Sequence, residues 1–429
     1  MTASLPDGYR YEKLDASRVR DVLDLDTWAF PNSASIDDFP ADTFPLTWER
    51  AVGVVAPGAR PGALAAVHAS YPFAHFPVPG GEIPTAGLTW VGVHPQHRRR
   101  GILTAMMDHH LARCADRGEP VSALYAAEYG IYGRFGYGRA ADDLRLEIPR
   151  GAALRDVAGA EAHTVRIEHA SRAEHGDLVD RVHRAAGRTP SGAAGLNRPG
   201  WATRETPELQ AAFWDDSPVF RYGKESQRIV IVERDGEPRG YARLRRTLEW
   251  HHAGPGGRVE TGEVVTLDAA AARALWGVLL DLDLSSVVAP FLVPVDDVVT
   301  QLLVNRRTAV PRVADNLWVR LVDVGAALAG RRYAADVDVV LGVRDRRLPG
   351  NAGSWRLQAA SFEEARCERT DAVPDLELDV GELGASYLGG VTLAALAAAG
   401  LVVERTPGAL ARASAAFTWP VAPACSWVF

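Results

Sequence analysis

At about 150 residues per domain, a chain of 429 residues has room for three domains, each able to bury its own core. Its 47% hydrophobic and 24% charged residues describe a globular protein, and no apolar run approaches the ~20 residues that span a bilayer. With 47 basic against 54 acidic side chains the net charge is −7, which excludes nucleic acid as a partner because phosphate-backbone binding needs a basic surface.

The opening residues lack a basic segment leading into an apolar core, so no secretion signal is expected and a cytoplasmic location is. Cys114, Cys367 and Cys425 are far apart, odd in number and outside any CxxC, which indicates neither a disulfide framework nor a zinc site. The pairs His109–His110 and His251–His252 are adjacent, a spacing that points two side chains apart, so no metal is expected.

In chain order, residues 9–14 read as a strand, followed by a helix reaching residue 30 with Val19, Val22, Leu23 and Leu25 among its apolar positions. The loop 31–45 is rich in Asp and Pro, with Asp37, Asp38 and Asp42 inside it and Asp24 and Asp26 just upstream. A solvated acidic loop is the plain reading. The functional reading is that this loop, with the aromatic residues Phe30, Trp48 and Trp90, walls a pocket for a polyamine-like cation.

Strands are expected over 51–55, 64–71 and 89–94, the last ended by Pro95. Arg98, Arg99, Arg100 and Gly101 then lead into Ile102, Leu103 and Thr104, which open a helix with Leu103, Met106, Met107, Leu111 and Cys114 at helical spacing and a stop at Gly118. The first turn of that helix points unpaired N–H groups and the positive end of its dipole at the arginine corner, where backbone and guanidinium together can hold an anion. Gly101 leaves the backbone bare for a close approach by pyrophosphate. Three arginines elsewhere would be a solvated turn; their place at a strand-to-helix corner is what favours a phosphate. The GxxxxGK[ST] loop is absent, and so is a GxGxxG following a strand. A strand at 121–125, a segment at 129–135 and a strand at 144–148 complete a βαβ-rich unit.

Glycine and alanine at 151–159 read as a linker, and a second unit starts at His163. The Asp235–Gly236 turn marks a hairpin, and a strand at 263–267, a helix at 269–280 and a strand at 286–291 repeat the order of the first unit. Where the first unit has its arginines and glycine, this one has VVTLDAAAARALW, so it cannot hold a pyrophosphate by the same means. The acidic and apolar stretch 281–297 points the same way. A third unit opens at 317–333, with strands at 337–343 and 354–359 and helices at 381–388 and 393–399.

The pattern V-x-V-x-P-x-x-R-x-x-G over residues 91–101 resembles the acetyl-CoA motif of the GNAT acyltransferases, with Arg98 and Gly101 at its arginine and first glycine. The strings VGVHPQHRRRGIL and GIYGRFGYG are more specific and resemble the enhanced intracellular survival (Eis) group of GNAT N-acetyltransferases, although Leu103 stands where many GNAT proteins have Gly or Ala. This resemblance runs along essentially the whole chain, strongest at 88–138 and weakest in the second unit. It implies an α+β (α/β) fold: a catalytic GNAT domain over 1–152, a degenerate GNAT-like domain over 153–312 and a sterol-carrier-protein-like domain over 313–429.

It further implies acetyl-CoA as co-substrate, without a metal, bound by Val91, Gly92, Val93, Arg98, Arg99, Arg100, Gly101, Ile102, Leu103, Thr104, Ala127 and Glu128. Backbone N–H groups of Val91 to Val93 would face the thioester oxygen. Tyr132 matches the family's general acid, and a phenol of pKa ~10 is protonated at neutral pH as that role requires; Tyr137 reads as packing. The terminal residue Phe429 matches the residue whose carboxylate serves as base. An exposed α-carboxyl has a pKa of ~3.5, so such a base works through water or partial burial. Val428 stands where aminoglycoside-acetylating members carry an acidic residue. The implied activity is acetylation of amines on an aminoglycoside-like or polyamine-like cation, in a homo-oligomer, a hexamer by resemblance. The alternatives are a protein lysine N-acetyltransferase and a non-enzymatic lipid-binding or scaffold protein.

Overall fold

The computed structural model describes residues 4–31, 35–40, 44–190, 192, 195–252 and 254–429; Asp42 of the acidic loop lies outside them. A seven-stranded sheet runs in the order Arg10–Lys13, Val52–Val55, Ala66–Val78, Gly81–Val93, Val121–Leu124, Trp318–Leu321, Gly138–Arg139. Its first four strands are antiparallel neighbours. Gly81–Val93, the motif strand, then runs parallel to Val121–Leu124. A parallel neighbour requires a crossover, and the helix Ile102–Asp116, the motif helix, supplies it.

A second sheet repeats this plan. Arg228–Arg234 and Glu237–Thr247 form a hairpin whose turn residues Asp235 and Gly236 have φ of 53° and 78°, the two positive values a two-residue turn of this twist needs. Gly257–Thr266 follows, then the helix Ala269–Leu279, then the parallel strand Ser285–Pro290. The third sheet has five strands, in the order Ala365–Arg369, Gly353–Ala359, Val337–Arg344, Leu376–Asp379, Val402–Glu404.

Sheet membership departs from chain order in two places. The segment expected to finish the first unit at 144–148 is divided. Asp142–Arg145 joins a three-stranded sheet with Val293–Pro294 and Arg312–Asp315, and Ile148–Pro149 is the edge strand of the second sheet. Conversely Trp318–Leu321, expected to open the third unit, lies in the first sheet between Val121–Leu124 and Gly138–Arg139. All four of its residues are buried, so it needs a neighbour on each edge. Among the described residues no helix is long and apolar enough to cross a membrane, and all three cysteines are free and buried.

The exchanged strand carries the most deeply buried cation of the first sheet. Arg320, with no exposed surface, donates to Phe135 O at 3.0 Å, to Leu321 O at 2.7 Å and to Asp345 Oδ2 at 2.6 Å. Asp345 also receives the N–H groups of Arg347 and Leu348 and the amide of Asn351. One ion pair thus joins the first sheet, the 133–135 turn and the third unit. Two buried charges are tolerable only together, so Arg320→Met, which leaves Asp345 uncompensated, should lower unfolding free energy in urea by about 3–5 kcal/mol. A loss under about 1 kcal/mol would show that the pair does not join these parts.

Candidate active site

The motif strand keeps its ladder with Ala66–Val78 as far as Val93, but pairs with Val121–Leu124 only over Thr85–Gly87. Past Gly87 the two parallel strands part. Trp90 sits in the left-handed region with φ 52°, at a bulge where Thr89 and Gly92 face Ala69 and Val67; a bulge of this kind bends and twists its strand. The free edge of the motif strand beyond the fork borders a cleft of about 480 Å³, walled there by Val91, Gly92 and Val93.

The floor of the cleft is the arginine corner. Arg99 (φ 60°) and Gly101 (φ 85°) are both left-handed, and Gly101 is the N-cap of the motif helix. A Cβ at Gly101 would meet nothing within 4 Å, so the demand for glycine here is conformational. The helix has no side-chain cap, and its first backbone bond runs from Ala105 N to Gly101 O at 3.0 Å. The N–H groups of Ile102, Leu103 and Thr104 therefore precede any helical acceptor, and all three residues line the cleft with Arg98, Arg99 and Gly101. Arg98, Arg99 and Arg100 form no ion pair with any described carboxylate, unlike Arg50 with Glu119 or Arg320 with Asp345. Arg100, expected to share in binding, does not line the cleft.

Ala127, Glu128, Ile131, Tyr132 and Arg134 form the opposite wall. Tyr132 is 8% exposed and sits edge-on to Tyr137 at 5.9 Å between ring centres. Burial, then the nearby Glu128 carboxylate, push its phenol up to about 12, so it stays protonated across the neutral range. Its hydroxyl makes no hydrogen bond to a described residue, whereas that of Tyr137 is tied to Ser122 Oγ at 2.7 Å, which in turn meets His110 Nε2 at 2.8 Å. One tyrosine is held in the core and the other, protonated, lines the cleft.

Of the three aromatic residues expected to wall an acceptor pocket, Phe30 lines this cleft, and Trp48 and Trp90 do not. Their rings lie against Phe44 at 5.9 and 4.7 Å, in the small core under the helix Val19–Ala29. Trp28, His97 and Arg134 line the cleft without having been singled out. Trp28 had a readable signal, because it falls off the buried stripe of Val19, Val22, Leu23 and Leu25. Phe429 is not a lining residue of this cleft. It is buried, with its ring edge-on to Phe73 at 5.0 Å, and a Cβ on Gly87 would lie 2.3 Å from that same Phe73 ring. The chain terminus is thus one aromatic ring away from the residue at which the sheet forks.

The second unit serves as an internal control. The N-cap of its helix Ala269–Leu279 is Asp268, whose carboxylate accepts from Ala271 N at 2.8 Å and is paired with Arg239 at 2.7 Å. The chain's own anion occupies the helix start. At the fork between Gly257–Thr266 and Ser285–Pro290, Trp201, Glu263, Leu292 and Ser426 surround a void of only about 10 Å³, room for one water at most, and a separate cavity of about 240 Å³ lies along Val264, Val265 and Thr266.

Models of the acetyltransferase (GNAT) domain match residues 10–140 and 200–321, and a sterol carrier protein domain model matches residues 324–426. The fold is therefore two tandem GNAT domains followed by a sterol-carrier-protein-like domain. A Streptomyces coelicolor protein described as an uncharacterized N-acetyltransferase is 42% identical over 87% of this chain and 88% of its own length. The N-acetyltransferase Eis of Mycobacterium tuberculosis is 34% identical over 90% of this chain and 92% of its own. The crystal structure of Eis1 from Mycobacterium abscessus superimposes with a TM-score of 0.78 at 31% identity, covering 98% of this chain and 100% of that one. Relatedness of this extent, together with the open helix start of the first unit and the self-capped one of the second, shows that the chain belongs to the Eis-like GNAT N-acetyltransferases.

Proposed function

We propose that the first unit transfers the acetyl group of acetyl-CoA to an amine of a cationic small molecule, aminoglycoside-like or polyamine-like. The observation that carries this reading is the uncapped start of the motif helix facing two unpaired guanidiniums and a protonated phenol across one cleft. A diphosphate fits there because it supplies the acceptors that Ile102, Leu103 and Thr104 N–H groups lack and the charge that Arg98 and Arg99 lack.

Acetyl-CoA, when bound, supplies an acetyl thioester whose transfer forms a C–N bond, breaks a C–S bond, and requires one proton delivered at sulfur and one removed from nitrogen. The free edge of Val91 to Val93 offers N–H donors for the oxygen on which charge develops. The Tyr132 hydroxyl holds the proton for the sulfur. The carboxylate of Phe429 takes the proton from the amine, its support being the placement of that residue against Phe73 beside the fork. On the acceptor side, Asp26 lies one turn before Phe30, and burial alone raises its pKa to about 6. It is a carboxylate suited to an ammonium. A cytoplasmic location and a homohexamer are proposed on the same family ground; the expected domain limits at 1–152, 153–312 and 313–429 are crossed by the exchanged strands Ile148–Pro149 and Trp318–Leu321.

Arg98→Ala and Arg99→Ala should each weaken acetyl-CoA binding by about tenfold or more in calorimetry, as loss of a charge-assisted bond does, while Arg100→Ala should change it less than about threefold. Equal effects of all three would reduce the corner to diffuse charge. Tyr132→Phe should lower kcat by about 10²–10⁴ with acetyl-CoA affinity within about threefold of wild type; unchanged kcat would remove it as the acid.

Asp26 loses its charge as pH falls through about 6. The equilibrium affinity for a polyamine should therefore weaken, by up to about tenfold between pH 8 and pH 5, and Asp26→Asn should flatten that dependence. A variant with an unaltered pH profile would exclude Asp26 from acceptor binding.

A further inference from the structure

The helix Ala269–Leu279 of the second unit has no open start, yet the fork beside it holds a buried polar cluster, and the member that completes it comes from residue 426. Glu263 Oε1 accepts from Arg204 Nη2 at 2.7 Å and from Ser426 Oγ at 2.6 Å, and Oε2 accepts from the Tyr241 hydroxyl at 2.7 Å. His183 Nε2 lies 3.0 Å from the same Ser426 Oγ. All five residues are buried. Burial opposes charge on Glu263, but Arg204, His183 and the Ser426 and Tyr241 hydroxyls outweigh it and hold its pKa at about 2. Burial also lowers His183 to about 3, so its ring is neutral.

A buried carboxylate and guanidinium are tolerable only when their remaining hydrogen-bonding capacity is met. Ser426 meets it from both sides, with one contact to Glu263 and one to His183. The flanking residues are fixed as well. Ala424 N donates to Pro199 O at 3.0 Å, and Cys425 exchanges two bonds with the side chain of Asn316, at 2.8 and 3.1 Å. Trp427 Nε1 donates to Ala202 O at 2.7 Å, and the Arg204 guanidinium lies 5.2 Å over the Trp427 ring. Three residues beyond Ser426 the chain ends on Phe73.

We propose that the second GNAT unit, having lost its ligand corner, acts as a clamp that sets the position of the Phe429 carboxylate, with Ser426 and Glu263 as positioning residues for deprotonation of the acceptor amine. This rests on the reading of Phe429 as the base. Three residues span at most ~10 Å, so slack at Ser426 passes almost undiluted to the terminus, and a shift of ~1 Å in a catalytic group can cost ~10²-fold in rate.

The test compares full-length Ser426→Ala, Ser426→Thr, Trp427→Phe and a form extended by three glycines after Phe429. Each is assayed for kcat and KM with a polyamine, for the pH profile of kcat/KM, and for acetyl-CoA affinity. Ser426→Ala should lower kcat about 10- to 100-fold and displace the limb of the pH profile that reports the base, with acetyl-CoA affinity within threefold of wild type. Ser426→Thr, which keeps the hydroxyl, should recover most of the loss. Trp427→Phe, which keeps an aromatic ring under Arg204 and every hydrogen bond among Glu263, Arg204, Ser426 and His183 but loses the bond to Ala202 O, should show the same split between kcat and cofactor affinity.

If Ser426→Ala turns over normally while the extended form is dead, the clamp is wrong and the terminal base survives. If the extended form turns over normally, the terminal base falls and the clamp with it. Parallel loss of kcat and acetyl-CoA affinity in Ser426→Ala would make the cluster a support of the fold and overturn its positioning role.

Discussion

The N–H groups of Ile102, Leu103 and Thr104 have no helical acceptor, and their helix carries no side-chain cap. Half of the ten α-helices among the described residues avoid that situation: Asp268, Asp323, Asp379, Thr206 and Thr392 each turn a side-chain oxygen onto the first turn of their helix. Leaving a helix start bare costs stability of the order of a missing cap, about 1 kcal/mol, and placing Arg98 and Arg99 beside it adds unpaired positive charge. One diphosphate would remove both deficits. The forked sheet, the bulge at Trp90 and the tyrosine wall then have a common purpose, because each faces the place where such a ligand would lie.

The two GNAT units show how little separates a ligand site from a structural module. Each has the hairpin, strand, helix and parallel strand. At the start of the helix one has Gly101, which offers no side-chain oxygen, and the other has Asp268, whose carboxylate caps the first turn. Within the second fork, Trp201 and Ser426 of the C-terminal segment border a void of about 10 Å³. The sterol-carrier-like domain supplies that segment, and the Arg320–Asp345 pair locks the same domain to the sheet of the first unit.

The chemistry of the first unit was readable because it is local. A strand end, three arginines, a glycine and an apolar helical stripe lie within about thirty residues, and hydrogen bonding at a helix start depends on nothing farther away. What could not be read was set by distant partners. Ile148–Pro149 and Trp318–Leu321 have ordinary strand patterns, and nothing in them says which sheet edge they complete. Trp90 belongs to the motif strand, yet its left-handed backbone accompanies a ring packed on Phe44 and out of the cleft wall. Arg100 sits among residues that line the cleft and does not join them. The bond from Ser426 to Glu263 spans 163 positions, and neither residue is unusual in its own neighbourhood.

The account stands on the arginine corner as the seat of a diphosphate, and a crystal structure of the chain grown with coenzyme A tests that directly. It should show the diphosphate on the N–H groups of the first turn of the motif helix, between Arg98 and Arg99, with the thiol arm running along Val91 to Val93 toward Tyr132. Coenzyme A bound elsewhere, with the corner closed by protein side chains, would contradict it.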